Sequence, residues 1–302
     1  MAASGSPERP TSAVDPARRL GTPRAGRNLW AAIAVGLLLS SGVLVALFTV
    51  RHVFIGIVAA AVAISSWELA GAMRRGGIAV SLPPVLLGGQ AMVWLAWPFG
   101  RDGILLAFVI TVLVCLVWRF PSGAAGYLRD VSASVFSAAY VAGFAAFATL
   151  LVIPADGAAR VLCLMLAAVG SDVGGYATGV LGGRHLMAPS ISPKKSWEGF
   201  IGSLLVGTAA GALSVTLLLD GQPWRGVLFG AAIVLTATGG DLIESLIKRD
   251  LGVKDMGTML PGHGGLMDRL DSLLPSAVVA WLLADLPGGD QVNVTIELAG
   301  RV

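Results

Sequence analysis

Residues Ser245–Asp271 read SLIKRDLGVKDMGTMLPGHGGLMDRLD and form a dense block of charge and glycine between two segments that are apolar enough to cross a bilayer. Two aspartates, Asp268 and Asp271, stand three residues apart at its end, and His263 stands among glycines. The block also holds the bases Lys248, Arg249, Lys254 and Arg269. Carboxylates, bases and glycines at this density are typical of sites that bind phosphates and divalent cations. The block therefore predicts such a site at a membrane surface.

The composition is that of an integral membrane protein. Of 302 residues, 55% are hydrophobic and 13% are charged, whereas an average globular chain has about 25% charged residues. Mean hydropathy is +0.79. Cys115 and Cys163 lie within apolar runs, which favours neither a disulfide nor a thiolate metal site. The net charge of +3 comes from bases scattered between apolar runs, a distribution that argues against a nucleic-acid surface.

About nine stretches are long and apolar enough for transmembrane helices, since a span needs roughly 20 mostly apolar residues. They lie near 29–50, 53–72, 83–98, 103–119, 131–153, 159–181, 200–219, 225–243 and 266–286. The run 53–72 contains Glu68, and the run 83–98 opens with two prolines. The pattern predicts an all-α, polytopic membrane protein.

The spans divide the chain into N-terminal membrane helices at 29–153 and a candidate catalytic membrane region at 154–286. Residues 1–28 are predicted to be a disordered cytoplasmic tail, because they have too few large apolar groups to pack, and 287–302 a short polar tail. With the N-terminus in the cytoplasm, cytoplasmic segments carry about three times as many Lys and Arg as outer segments, a bias that sets orientation. We therefore expect a multi-pass protein of the cell (inner) membrane with a polar intramembrane cavity open to the cytoplasm.

A second polar block, residues 172–199, begins inside a predicted membrane helix and ends in SPKKSWEG. Asp172 is either a site carboxylate or a buried residue of helix packing. The glycines that follow it are expected to let helices pack closely. The SPKKSWEG segment offers the hydroxyl of Ser192 and the ammonium groups of Lys194 and Lys195 to an anion, or else it is a solvated basic loop.

Polar residues at the end of the eighth predicted span share one helix face by their spacing: Asp241, Glu244, Ser245 and Lys248. A charged side chain costs about 2.5–3.5 kcal/mol at the centre of a membrane helix, so this face must line a polar cavity. Asp268 and Asp271 share a face in the same way, with Arg269 turned away from them. Facing carboxylate pairs repel each other unless a cation joins them, and oxygen ligands suit Mg²⁺. We expect Mg²⁺, with or without a second cation.

The glycine loop, residues 251–265, joins these two helices. Its glycines, Gly264 and Gly265 among them, permit backbone positions in which amides approach a phosphate. The chain contains neither a Walker nor a Rossmann pattern. We expect His263, close to Lys254 and Asp255 in this loop, to contact phosphate or to orient an aspartate, with a structural or metal-binding role as the alternative.

The pattern S-x-I-K-R-x4-K-D-x-G-x2-L-P-x-H-G-G-L-x-D-R-L-D resembles the signature of the phosphatidate cytidylyltransferases, also called CDP-diglyceride synthetases. Residues 245–271 match it at every specified position. Residues 172–199 are similar to the second cluster of that family, including S-P-K-K-[ST]-W-E-G. There are small departures: Ser196 replaces the more usual Thr, Val173 stands where a hydroxyl residue is common, and the 184–190 loop is abbreviated.

The resemblance implies that CTP condenses with phosphatidic acid to give CDP-diacylglycerol and pyrophosphate, in a homodimer within the lipid bilayer and without nucleic acid. The catalytic residues that it implies are Asp241, Lys248, Arg249, His263, Asp268 and Asp271. Metal ions would be held by Asp241, Asp268 and Asp271, with Asp172 and Glu244 as further members. Substrate contacts would come from Ser192, Lys194, Lys195, Ser245, Lys254, Asp255, Gly264, Gly265 and Arg269.

The sequence disfavours three alternative functions. A cation-coupled transporter would also place carboxylates in the membrane, but it has no need for paired lysines and a glycine loop on one cytoplasmic face. The run Asp156–Arg160, DGAAR, is similar to the motif of CDP-alcohol phosphotransferases, but its spacing is one residue short and the later aspartates are missing. A catalytically silent scaffold is disfavoured because every charged position of the signature is intact.

Overall fold

The computed structural model of the chain describes residues 41–257, 259 and 264–284, most of which are helical. The α-helices are, in chain order, α1 (41–49), α2 (Arg51–Arg75), α3 (Leu82–Trp118), α4 (Tyr127–Ser137), α5 (Phe144–Val152), α6 (Gly157–Gly182), α7 (Trp197–Leu219), α8 (Pro223–Asp250), α9 (Met267–Leu270) and α10 (Leu273–Leu282). A 3-10 turn, Phe120–Ser122, follows α3, and a π-helical turn, Ala138–Gly143, joins α4 to α5. The strands β1 (Leu186–Ala188) and β2 (Ser192–Ser196) pair antiparallel between α6 and α7.

The helical fold class predicted from composition is confirmed, with one addition. The basic segment that contains Lys194 and Lys195 is the strand β2 rather than a loop, and Ser196 lies opposite Leu186 of β1. The Ser196 hydroxyl then accepts a hydrogen bond from the Gly199 amide at 3.1 Å and so caps the N-terminus of α7. Strand pairing and the cap therefore give the two lysines a defined position.

Six helices within the described residues are long and apolar enough to cross a membrane, by length and composition. They are Arg51–Arg75, Leu82–Ser122, Tyr127–Val152, Gly157–Gly182, Trp197–Leu219 and Pro223–Asp250. Many large apolar side chains on the outward faces of these helices, such as Leu105 and Leu181, are exposed. Extensive apolar surface of this kind is favourable where lipid rather than water covers it. The chain is thus a multi-pass membrane protein.

The structure confirms that the chain has several membrane-spanning helices, but it does not confirm the predicted number of about nine. The first predicted span, 29–50, lies mostly outside the described residues. The last, 266–286, contains the short helix α9 and the ten-residue α10. Both predicted tails, 1–28 and 287–302, lie outside the described residues, so the division of the chain into four parts stays a prediction.

The helix α3 folds back on itself at Gly100, which has a positive φ of 58°. The space beside Gly88 is filled by Thr111. In a straight helix these residues would be about 34 Å apart, at 1.5 Å per residue, so the two arms of α3 run side by side. These arms correspond to the predicted spans 83–98 and 103–119. Pro98, just before the reversal, is a residue that interrupts helices.

The helices α6, α7 and α8 pack closely because small residues line their contacts, as predicted from the glycine spacing. The space beside Gly174 on α6 is occupied by Gly202 and Val206 of α7. Ser203 on α7 also donates a hydrogen bond to the Ser171 carbonyl at 2.7 Å. These contacts hold α6 close against α7.

Replacing Gly211 with alanine should destabilise this packing. A Cβ there would lie 2.6 Å from the Gly230 Cα and 2.7 Å from the Gly226 carbonyl oxygen, and overpacking of this kind costs about 1–3 kcal/mol. We expect a lower midpoint of thermal unfolding in detergent for Gly211→Ala. The matched control is Gly56→Ala on α2, where a Cβ would meet no described atom within 4 Å. Equal midpoints for the two variants would contradict the packing argument.

Candidate active site

A polar cavity of about 430 Å³ lies where α6, β2, α7 and α8 meet the segment that contains α9. Its walls combine both polar blocks, although their residues are far apart in sequence. The predicted site residues that line it are Asp172, Lys194, Lys195, Asp241, Asp268, Arg269 and Asp271. The cavity thus brings Asp172 and the two lysines together with residues of the second block.

The strand β2 delivers Lys195 to the acidic side of the cavity. Its ammonium group forms an ion pair with Asp241 and donates a hydrogen bond to the Thr238 carbonyl at 3.3 Å. Lys194, its neighbour, is exposed and also lines the cavity. The strand therefore places one partly buried and one exposed cation beside the same space.

Three carboxylates from α8 and from the residue after α9 form a tight cluster. Oxygen atoms of Asp241, Glu244 and Asp271 all lie within 4.8 Å of one another. Glu244 is fully buried and Asp271 is 7% exposed. Three negative charges this close repel strongly unless cations balance them, so the cluster fits a divalent metal ion. The helical spacing of Asp241 and Glu244 predicted their shared face correctly.

Lys248 supplies part of the balancing charge. It lies one turn after Glu244 on α8, forms an ion pair with Glu244, and contacts Asp268 at 2.9 Å. Its side chain is only 17% exposed. Lys248 thus links the acidic cluster to the carboxylate at the other side of the glycine loop.

Asp268 is held differently from the three clustered carboxylates. Besides Lys248, it accepts hydrogen bonds from the backbone amides of Met256 at 3.1 Å and Gly265 at 2.8 Å. These donors satisfy a charged carboxylate. Asp268 still lines the cavity, but the structure groups Asp241 and Asp271 with Glu244 rather than with Asp268.

Arg269 lines the same cavity as Asp268 and Asp271, so the prediction that it turns away from them is wrong. Asp172 of α6 lines the same cavity. The physical reason is that α9 is a helix of four residues at the edge of the cavity, where more than one of its faces meets the polar space. Helical spacing alone assumed a long span with a single polar face.

The described residues of the glycine loop support the cavity rather than line it. Gly264 has a φ of +80°, a conformation that favours glycine, and the next amide, Gly265, binds Asp268. Arg249 donates a hydrogen bond to the Ile191 carbonyl at 3.3 Å and so joins the end of α8 to the β-hairpin. Other predicted substrate residues are described but do not line the cavity, namely Ser192, Ser245, Lys254, Asp255, Gly264 and Gly265. His263 lies outside the described residues.

Two residues of α2 contact the glycine loop region and were not predicted to belong to the site. Glu68 accepts a hydrogen bond from the Met267 amide at 2.9 Å, and Arg75 donates one to the Met256 carbonyl at 3.0 Å. A carboxylate within an otherwise apolar span is the sequence signal that could have indicated Glu68. Nothing in the local sequence pattern indicates that the Met267 amide is the hydrogen-bond partner of Glu68.

Fold and site together define a class: a multi-pass membrane protein whose helices enclose a cavity suited to a metal ion and to anions. The model of the "Cytidylyltransferase family" matches residues 30–286. The chain belongs to this family.

Relatives confirm the resemblance found in the sequence. The phosphatidate cytidylyltransferase of Mycobacterium leprae is 52% identical over 281 residues, covering 88% of this chain and 90% of the relative. That of Mycobacterium tuberculosis H37Rv is 48% identical over 299 residues, covering 94% and 91%. A more distant one, from Helicobacter pylori, is 39% identical over 122 residues, covering 40% and 46%. Neither the family nor these relatives support a transporter.

Proposed function

We propose that this protein condenses CTP with phosphatidic acid to give CDP-diacylglycerol and pyrophosphate. The names of its relatives support this reaction. The observation that carries it is that Asp241 and Asp271, two of the three clustered carboxylates, line the same cavity as the cations Lys195 and Arg269. Such a combination suits a reaction between two phosphate-bearing molecules.

The reaction is a displacement at phosphorus. A phosphate oxygen of phosphatidic acid attacks the α-phosphorus of CTP, a new P–O–P bond forms, and the bond to the β-phosphate breaks to release pyrophosphate. The attacking oxygen is already negatively charged, so the enzyme needs little base catalysis. It must instead reduce the repulsion between two anions and hold the attacking and leaving oxygens in line.

The acidic cluster fits Mg²⁺, with or without a second cation. Its ligands would be Asp241, Glu244 and Asp271, whose oxygens lie within 4.8 Å of one another. Neither oxygen of buried Glu244 has a hydrogen-bond partner among the described residues, apart from the ion pair with Lys248. A bound Mg²⁺ would neutralise charge on the phosphates during the displacement. Asp268 and Asp172 line the same cavity and would act at its edge.

The basic residues would bind the phosphates. Lys194 and Lys195 enter the cavity from β2 and Arg269 from α9, so together they could hold the triphosphate or the lipid head group. Lys248 would keep the charges of Glu244 and Asp268 compatible with each other. Each of these side chains binds or orients; none is required to transfer a proton.

We place the cavity on the cytoplasmic side of the cell membrane, because the excess of Lys and Arg falls in the segments on that side. CTP would enter from the cytoplasm and phosphatidic acid from the bilayer. The family resemblance also supports a homodimer.

The direct test is to supply the purified protein in detergent with CTP, phosphatidic acid and Mg²⁺, and to measure pyrophosphate and CDP-lipid together. We expect equal amounts of the two products and none when phosphatidic acid is omitted. Release of pyrophosphate without CDP-lipid would show CTP hydrolysis instead and would refute the proposal.

Lys195→Met should impair the reaction more than Lys194→Met. Lys195 is partly buried and paired with Asp241, so its loss should lower kcat/KM for CTP by roughly 10²-fold, as removal of one preorganised charge contact does. Lys194 is exposed, and solvent screens its charge, so its loss should cost about tenfold. Arg184→Gln, at an exposed base outside the cavity, is the control. Equal effects of the two lysine variants would contradict this division of roles.

A further inference from the structure

Glu68 is a buried charge that the proposed reaction leaves unexplained. It lies on α2 and is only 2% exposed, in a helix whose other charged residues stand in its first and last turns. It does not line the catalytic cavity. A carboxylate within a membrane span is costly, and such residues usually have a function. The contacts of Glu68 show which part of the protein it serves.

The Glu68 carboxylate contacts the segment that carries Asp268. Its Oε2 accepts a hydrogen bond from the Met267 amide at 2.9 Å. It also fills the space beside Gly257 and Gly265, where a Cβ would collide with it. Its Oε1 is buried and has no hydrogen-bond partner among the described residues. Glu68 therefore lies against the backbone at Gly257, at Gly265 and at the Met267 amide.

Arg75 acts on the same segment from the same helix. It lies seven residues after Glu68, two turns along one face of α2. Its guanidinium donates hydrogen bonds to the carbonyls of Met256 at 3.0 Å and Asp255 at 3.5 Å. The amide of Met256, in turn, donates to Asp268. Two side chains of α2 thus bind the backbone groups next to those that bind Asp268.

We propose that Glu68 and Arg75 are positioning residues, which hold the backbone at Met256 and at Met267, the first residue of α9, so that Asp268 and Asp271 face the cavity. The inference rests on the proposed function for its kinetic consequence. Glu68 holds Met267, the residue before Asp268. Arg75 holds Met256, whose amide donates a hydrogen bond to Asp268. Because a misplacement of about 1 Å can cost 10²-fold in rate, release of either contact lowers activity without any loss of substrate-binding groups.

The test compares Glu68→Ala with Glu68→Gln. The glutamine keeps an oxygen that can accept from the Met267 amide, whereas alanine removes it. Two quantities are measured in detergent: the rate of trypsin cleavage after exposed Lys254 in the glycine loop, and kcat and KM for CTP at several Mg²⁺ concentrations. Ser65→Ala is the control, since Ser65 is buried on the same helix and outside these contacts.

We expect Glu68→Ala to be cleaved several times faster, to lose about 10- to 100-fold in kcat/KM, and to need more Mg²⁺ for half-maximal rate. Glu68→Gln should recover most of both losses, and Ser65→Ala should behave as the unmodified protein. Cleavage and kinetics of Glu68→Ala that equal those of Ser65→Ala would overturn the proposal. A glutamine variant as impaired as the alanine variant would do the same.

A second pair of variants tests the positioning role if Glu68→Ala fails to fold. Arg75→Gln, at an exposed position, should show the same faster cleavage and lower kcat/KM. The side chain of its neighbour Arg74 forms no hydrogen bond or ion pair among the described residues, so Arg74→Gln should show neither change. Equal behaviour of the two arginine variants would refute the positioning role. If the unmodified protein makes no CDP-lipid, the proposed function fails, while the cleavage rates still report on the placement of the loop.

Discussion

Asp241→Asn should reduce the conversion of CTP into CDP-lipid by about 10³-fold or more, because a metal ion contributes several kcal/mol to such a transition state and each 1.36 kcal/mol is a factor of ten. Asp241 takes part in two interactions of the site. It belongs to the acidic cluster with Glu244 and Asp271, and it forms the ion pair with Lys195. An amide of the same shape removes the charge from both.

The matched control for this variant is Asp250→Asn. Asp250 lies on the same helix α8, is exposed, and does not line the cavity. Both variants should be purified in detergent and compared by yield, by elution volume in size-exclusion chromatography and by product formation with labelled CTP. Asp271→Asn should resemble Asp241→Asn, since its carboxylate is the third of the cluster. Near-normal turnover in either cavity variant would refute the metal assignment.

Removal of divalent cations should abolish product formation completely. The cluster of Asp241, Glu244 and Asp271 brings three carboxylates together with Lys248 as the only cation paired with Glu244 among the described residues. Hard oxygen ligands of this kind suit Mg²⁺. We expect no CDP-lipid in excess EDTA and full recovery on adding excess Mg²⁺ or Mn²⁺.

A parallel sample with EDTA already saturated by Mg²⁺ controls for direct effects of the chelator. Thermal unfolding gives an independent readout, because a ligand that binds only the folded protein raises its stability. The midpoint of the unmodified protein should rise with Mg²⁺ concentration, and that of Glu244→Gln should rise less. Turnover that persists undiminished in EDTA would contradict a metal-dependent reaction.

Local spacing predicted part of the site correctly. Asp241 and Glu244 stand three residues apart on one helix, and such residues share a face whatever surrounds the helix. The same reasoning failed for Arg269, because α9 is too short and too close to the cavity edge for one face to be separated from another. It did not indicate that the loop amides of Met256 and Gly265 donate hydrogen bonds to Asp268.

The fold, like the site, was predicted only in part from the sequence. Hydropathy located the apolar runs, and Pro98 and Gly100 mark the place where α3 reverses. Small residues predicted close packing of α6 on α7. The strand β2 was not predicted, because its pairing with β1 and the cap at Ser196 depend on contacts that the basic run does not reveal.

The sequence by itself determined that this is a multi-pass membrane protein of the cytidylyltransferase family with two polar blocks, since hydropathy, helical period and signature motifs are all local properties. Only the tertiary structure decided which carboxylates lie close together and which residue of α2 contacts the segment that carries Asp268. The hydrogen bond from Met267 to Glu68 joins residues 199 positions apart. No periodicity extends over such a separation, so the contact exists only once α2 packs beside the glycine loop.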